Sequence, residues 1–234
     1  MKTVRAYFLL LTATLIIIFS CKEEKIHRAT SDDNTPPKQP KAVTYKPLYG
    51  GARFYYDLPD DEDLLFIEAT YKNADNKTFS FSSSYFVDSL DVYGFGDTLN
   101  YKVQLFAVDR AGNRSEPLDV TVKPLESAIS RVIKSLDLKP GFSSFFLDWE
   151  NELEQSINVY VDFKFNQNGK PSEYTSVFSS NLLKDRRFVE DLNISSTEPV
   201  KVSVRVSDMY GNTSQSIDMG QINLLEDIKI PKKI

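Results

Sequence analysis

Asp109-Arg-Ala-Gly-Asn-Arg-Ser115 is answered 99 positions later by Asp208-Met-Tyr-Gly-Asn-Thr-Ser214, the same Asp-x-x-Gly-Asn-x-Ser frame. Each copy follows a run of alternating apolar residues: Val103, Leu105 and Ala107 before the first, Val202, Val204 and Val206 before the second. Alternation marks a strand with one buried face, and Gly-Asn within a polar stretch marks a tight turn. Two copies at this spacing imply two similar small domains in tandem rather than one large fold.

Composition agrees with that division. The chain has 234 residues, 41% of them hydrophobic, enough for two modest cores. Its 16 Phe and 12 Tyr favour pleated, half-buried strands. The net charge of −5 offers no basic face, so no nucleic-acid partner is expected. A single Cys and a single His exclude an internal disulfide and leave no zinc site. Triad and Cys-His chemistry both require a base, and only His27 is available. The chain therefore reads as non-enzymatic, with no cofactor and no metal.

The amino terminus carries an address. Lys2 and Arg5 precede an apolar run from Ala6 to Phe19, too short to span a bilayer but suited to a signal-peptide core. It ends in Ile18-Phe19-Ser20-Cys21, which resembles the bacterial lipobox: an aliphatic residue, a small residue, then the Cys that receives lipid. Residues 1–20 read as a lipoprotein signal peptide and Cys21 as the lipidation site, where several acyl chains would give a stable membrane anchor. Lys22-Glu23-Glu24-Lys25 resembles the short acidic signal that sends Bacteroidota lipoproteins to the outer face of the outer membrane. Residues 21–40 are polar and hold Pro36, Pro37 and Pro40, as expected of a flexible tether.

Strand signals fill the rest. In the first domain, residues 41–125, they cover 43–48, 52–58, 65–71, a short piece from Phe79, 89–93, 101–108 and 118–122. In the second domain, residues 130–228, they cover 132–138, 142–149, 157–165, 174–178, 187–192, 200–207 and 217–224. Seven short strands per domain, punctuated by turns, predict an all-β protein of two tandem β-sandwiches.

The pattern resembles fibronectin type III domains. Phe95-Gly-Asp-Thr-Leu-Asn-Tyr101 looks like that family's corner leading into strand F, and Trp149 matches its strand B tryptophan. Each domain keeps half of the aromatic signature, with Leu58 in the place of Trp and Val200 in the place of Tyr. The whole chain also resembles two-domain Bacteroidota surface lipoproteins, built of domains of unknown function and associated with starch-utilisation-type glycan-uptake loci. The lipobox, Leu58-Pro-Asp-Asp-Glu-Asp63, Gly94-Phe-Gly-Asp97 and both Asp-x-x-Gly-Asn turns carry that likeness. Longer relatives continue into a discoidin-like domain, which the resemblance expects to be lacking after Ile234.

Candidate sites follow. Asp109, Gly112 and Asn113, with Asp208, Gly211 and Asn212, read as structural turns, since one carboxylate per loop is too few for a calcium cage. Asp60-Asp61-Glu62-Asp63 reads as a solvated acidic turn, without the facing, partly protonated pair of a glycosidase. Trp149 is a core residue first and a sugar-stacking platform second. Tyr55, Tyr56, Tyr85, Phe86, Tyr93 and Tyr210 are the better stacking candidates, Tyr210 foremost because it occupies the repeated turn. Asp88-Ser-Leu90 and Asp97-Thr-Leu99 make Ser89 and Thr98 candidate O-glycosylation positions.

The expected function is that of an outer-membrane, outward-facing lipoprotein serving a polysaccharide-uptake system as a non-catalytic, glycan-binding or accessory component. Its expected partners are the membrane, a polysaccharide or oligosaccharide, and outer-membrane transporter components. The alternative is a structural spacer or a module that docks on the transporter.

Overall fold

Alternating apolar residues in both halves of the chain form strands, and the strands close two sandwiches. The computed structural model describes residues 33–167, 169–190, 194 and 198–226. The expected signal peptide, the expected lipidation site Cys21, His27 and most of the expected tether lie outside the described residues.

The first domain comprises β1 (Lys41–Leu48), β2 (Gly51–Asp57), β3 (Leu64–Lys72), β4 (Thr78–Ser84), β5 (Ser89–Tyr93), β6 (Tyr101–Asp109) and β7 (Leu118–Val122). A three-stranded sheet, β1-β2-β5, faces a four-stranded sheet, β4-β3-β6-β7, with all pairings antiparallel. The second domain repeats the arrangement with β8 (Asp137–Pro140), β9 (Phe145–Glu150), β10 (Ile157–Gln167), β11 (Lys170–Ser180), β12 (Lys184–Val189), β13 (Val200–Asp208) and β14 (Ile217–Ile222). Its sheets are β8-β9-β12 and β11-β10-β13-β14. This is the fibronectin type III-like connectivity, twice over.

The period-two pattern accounts for the cores. Val103, Leu105 and Ala107 on β6, and Val202, Val204 and Val206 on β13, are completely buried. The first core adds Phe54, Ile67, Val92 and Phe95; the second adds Phe145, Leu147, Trp149 and Phe163. Leu58 packs at the margin of the first core, and Val200 is buried in the second, so each fills its place without the family aromatic.

One expected strand is corrected. Residues 132–138 divide between a helix, α1 (Ala128–Ser135), and the start of β8. Ala128, Ile129 and Val132 form a buried stripe at helical spacing, which outweighs the strand preference of Val132 and Ile133. Ser127 caps the helix: its side chain accepts from Ser130 N, and Lys134 lies in the last turn, where the helix dipole favours a cation. A smaller correction concerns the strand expected at 187–192, which runs from Lys184 to Val189 and so points Arg186 and Phe188 outward.

Candidate binding face and interdomain joint

The two copies of the repeated turn are built alike. Asp109 Oδ1 accepts from Asn113 N at 2.8 Å and its Oδ2 from Asn113 Nδ2 at 2.9 Å. Asp208 and Asn212 make the same pair of bonds, at 2.9 and 2.8 Å. Gly112 and Gly211 take φ of +89° and +87°, the left-handed conformation that glycine adopts without strain. Ser115 and Ser214 complete the turns, their Oγ atoms accepting from Ala107 N at 3.0 Å and Val206 N at 2.9 Å.

What each turn touches differs. Asn113 Nδ2 donates to the carbonyl of Asp33 at 3.0 Å, while Asn212 Nδ2 donates to the carbonyl of Gly94 at 3.0 Å. Asn113 therefore grips the segment that leads into its own domain, whereas Asn212 grips the β5–β6 corner loop of the other domain. The second contact is the joint between the sandwiches. Gly94 and Gly96 leave room for it: a Cβ at Gly94 would meet Tyr71 Oη at 2.6 Å and Tyr210 Cδ1 at 2.8 Å, and one at Gly96 would meet Asn212 Cγ at 2.8 Å. Tyr71 Oη donates to Tyr93 O at 2.9 Å, and Ser127 Oγ to Gly96 O at 2.7 Å, so the loop is held from both sides. Tyr101 braces it through Phe95, with ring centroids 4.4 Å apart, and through a 2.9 Å bond from its hydroxyl to Asp97 Oδ1. Burial, with Asp97 beside it, pushes the Tyr101 hydroxyl up to about 12.

The joint claims Tyr210. Its ring is half-buried, 6.1 Å from Phe79 and nearly perpendicular to it, and burial followed by Asp208 raises its hydroxyl above the ordinary tyrosine value. Tyr210 is thus a wedge between domains and not the free platform expected of it. Two further candidates belong to the interior. Tyr56 is 4% exposed on the inner face of β2, and Trp149 is 2% exposed on the inner face of β9. Strand alternation sends both inward. Tyr85 packs on the first core with its ring 4.0 Å from that of Phe86, and Phe86 projects into solvent at 79% exposure.

Two candidates do share an open face. Tyr55 on β2 and Tyr93 on β5 flank Arg53 and Asp91 on the outer side of the β1-β2-β5 sheet. Arg53 Nε and Nη2 donate to the two Asp91 oxygens at 2.6 and 2.7 Å, a bidentate pair. The Arg53 guanidinium holds the Asp91 carboxyl below the usual carboxylate range. Tyr93 Oη reaches Asp91 Oδ2 at 3.3 Å, and the Tyr93 ring crosses Gly51, where a Cβ would meet it at 2.7 Å. A cavity of about 290 Å³ lies beside this pair, bounded by Ser82, Ser83 and Ser89. Of the O-glycosylation candidates, Thr98 is exposed in the corner loop and Ser89 is half-buried on β5.

Acids meet at the far end of the first domain. Carboxylate oxygens of Asp33, Asp63 and Asp109 lie within 4.8 Å of one another. A hydrogen bond with Asp61, burial, and the charges of Asp109, Asp61 and Asp33 raise the Asp63 carboxyl. Sequence reading treated the turn and the acidic run separately, because nothing local shows that they converge. Both Asp109 oxygens are already bonded to Asn113, and three carboxylates fall short of the six to eight oxygens a calcium ion takes.

Comparisons with known proteins agree with two units. Residues 37–124 match a domain of unknown function (DUF4959), and residues 125–227 match another (DUF5126). Similar solved structures include a two fibronectin type III domain segment from chicken tenascin, at 13% identity over 80% of this chain and 99% of that one, with a TM-score of 0.36. The FN1-FN3 domains of chicken CNTN1 are similar at 11% identity over 81% of this chain and 68% of that one, with a TM-score of 0.37. No curated protein matches the chain.

Proposed function

For a chain of two tandem domains of unknown function with fibronectin type III-like folds, we propose a non-catalytic, extracellular accessory role in binding glycans. The observation that carries this reading is the outer face of β1-β2-β5, where Tyr55, 41% exposed, and Tyr93 flank the bidentate Arg53–Asp91 pair. Aromatic faces stack on the C–H faces of sugar rings, while a fixed guanidinium and carboxylate offer donors and acceptors to ring hydroxyls. The lipobox-like Ile18–Cys21 stretch supports an anchor at Cys21, the acidic run Lys22-Glu-Glu-Lys25 supports an outward-facing outer-membrane protein, and the likeness to surface lipoproteins supports service to a polysaccharide-uptake system.

Affinity electrophoresis through gels containing plant, host and microbial polysaccharides tests the proposal. Retardation by at least one glycan, weakened by Tyr55→Ala and Arg53→Ala, is the expected result. Unchanged migration across the panel would overturn it.

A second reading, a rigid spacer or a module docking on a membrane transporter, is favoured by the joint at Asn212, Tyr210 and Gly94, which ties the domains together. Co-purification of a transporter subunit by the protein, in the absence of any glycan retardation, would select it.

A further inference from the structure

The second domain carries an open face of its own. On β9, Phe146, Asp148 and Glu150 point outward; on the neighbouring β12, Phe188, Arg186 and Lys184 stand directly opposite them. Three cross-strand rungs result. Phe146 and Phe188 form an aromatic rung, with centroids 6.0 Å apart. Asp148 accepts from Arg186 Nε at 2.5 Å and from Nη2 at 2.8 Å, and the same guanidinium lies 5.2 Å from the centre of the Phe146 ring. Glu150 and Lys184 pair at 2.6 Å. On β8, Asp137 and Lys139 add one more pair at 2.5 Å.

This face is exposed and shaped. Phe188 is 55% exposed, and the Arg186 side chain 58%. A groove of about 670 Å³ follows the charged rungs of Asp148, Glu150, Lys184 and Arg186, with Ser135 and Asp137 at its side, within the size range of small-ligand sites. From the aromatic rung to the last ion pair the strands run about 14 Å.

We propose that this face is a second carbohydrate site and that it takes a neutral oligosaccharide. The inference rests on the glycan-binding reading above. Charge balance sets the ligand class. Three carboxylates (Asp137, Asp148, Glu150) face three cations (Lys139, Lys184, Arg186), all paired, so the face has no net field to attract an anionic chain. A neutral polyol meets both needs of such a surface: its hydroxyls donate to the carboxylates and accept from the cations, and its C–H faces cover Phe146 and Phe188. The first domain places a similar Arg–Asp pair at the matching strands, with donor and acceptor exchanged between them.

Trp149, the only tryptophan in the chain, sits on β9 between Asp148 and Glu150 with its ring in the core behind this face, and is a built-in reporter of changes in the sheet. The experiment titrates the purified protein with maltoheptaose, cellohexaose, xylohexaose and mannohexaose, and with hexagalacturonic acid as an anionic control, following Trp149 emission. Expected is a saturable change with at least one neutral probe and none with the anionic one. Arg186→Ala or Phe188→Ala should weaken that response at least tenfold, while Tyr55→Ala and Arg53→Ala should leave it in place. If gels retard the protein while Trp149 stays silent and Arg186→Ala has no effect, this site falls and the glycan-binding reading stands. If no glycan retards the protein, the reading falls and this site with it. A response to the anionic probe alone overturns the neutral class.

Discussion

Asn212 donates from Nδ2 to the carbonyl oxygen of Gly94 at 3.0 Å, joining the repeated turn of the second domain to the corner loop of the first. The same nitrogen also donates to Asp208 Oδ2, so the turn that shapes the second domain fixes its position on the first. The equivalent turn in the first domain has Ala111 where the second has Tyr210, and its Asn113 reaches the carbonyl of Asp33. One hairpin design thus serves twice as a clasp, with an aromatic wedge added where two sandwiches meet.

Gly94→Ala should break that clasp. Gly94 has φ of +94°, and an added Cβ would lie 2.6 Å from Tyr71 Oη and 2.8 Å from Tyr210 Cδ1. Backbone strain of this kind costs of order 1–3 kcal/mol. Urea denaturation should show the loss, and small-angle scattering should show a wider spread of interdomain arrangements.

Tyr210→Ala should loosen the joint without unfolding either sandwich. The ring contacts Phe79 across the joint and belongs to neither core cluster. Scattering should report a larger radius of gyration, while the circular dichroism spectrum of the β-sheets stays unchanged.

Ser115→Ala should cost more than Ser214→Ala. Ser115 is buried, and its hydroxyl is the acceptor for Ala107 N, whereas Ser214 is only half-buried. An orphaned buried amide costs about 1–3 kcal/mol, a more accessible one less. Paired urea titrations of the two variants would check the order.

Trp149→Ala should destabilise the second domain by about 3–5 kcal/mol, since it empties the place of the largest side chain in that core. Denaturant unfolding would measure it. The variant therefore reports packing, and Trp149 serves better as a fluorescent probe than as a position to mutate for binding.

Asp63 should contribute stability that falls as pH rises through the carboxylate range. The folded Asp63 carboxyl titrates above its unfolded value, because Asp61 shares a hydrogen bond with it and Asp109 and Asp33 repel its charge. The folded state therefore binds the proton more tightly. The resulting stability is fully present below the unfolded value and lost as pH passes the folded one. Asp63→Asn should flatten this part of the curve of melting temperature against pH.

Much of the architecture could be read from local sequence. Period-two runs such as Val202, Val204 and Val206 place strands because alternation is the geometry of a pleated chain with one buried side. Gly112 and Gly211 mark hairpins because the turn needs positive φ. The region after Ser127 read as a strand because Val132 and Ile133 are β-branched; docking of Ala128, Ile129 and Val132 on the second core made it a helix.

The candidate site was less legible. Sequence selected Tyr55, Tyr56, Tyr93 and Tyr210 as aromatics near turns and strand edges, and could not say which face each would occupy. A shift of one residue along a strand exchanges inside for outside, so Tyr55 is exposed and Tyr56 buried. Phe146 and Phe188, the aromatic rung of the second face, gave no sequence signal, because only strand pairing sets them opposite each other.

By itself, the sequence determined the class of the fold, its duplication and the turn chemistry, since each depends on residues close together in the chain. Tertiary structure alone decided that Asn212 meets Gly94, that Asp33, Asp63 and Asp109 converge, and that Arg53 and Asp91 stand beside Tyr55 and Tyr93. These contacts join residues far apart in sequence. Their geometry is fixed by the packing of two sheets and two domains, which no local pattern encodes.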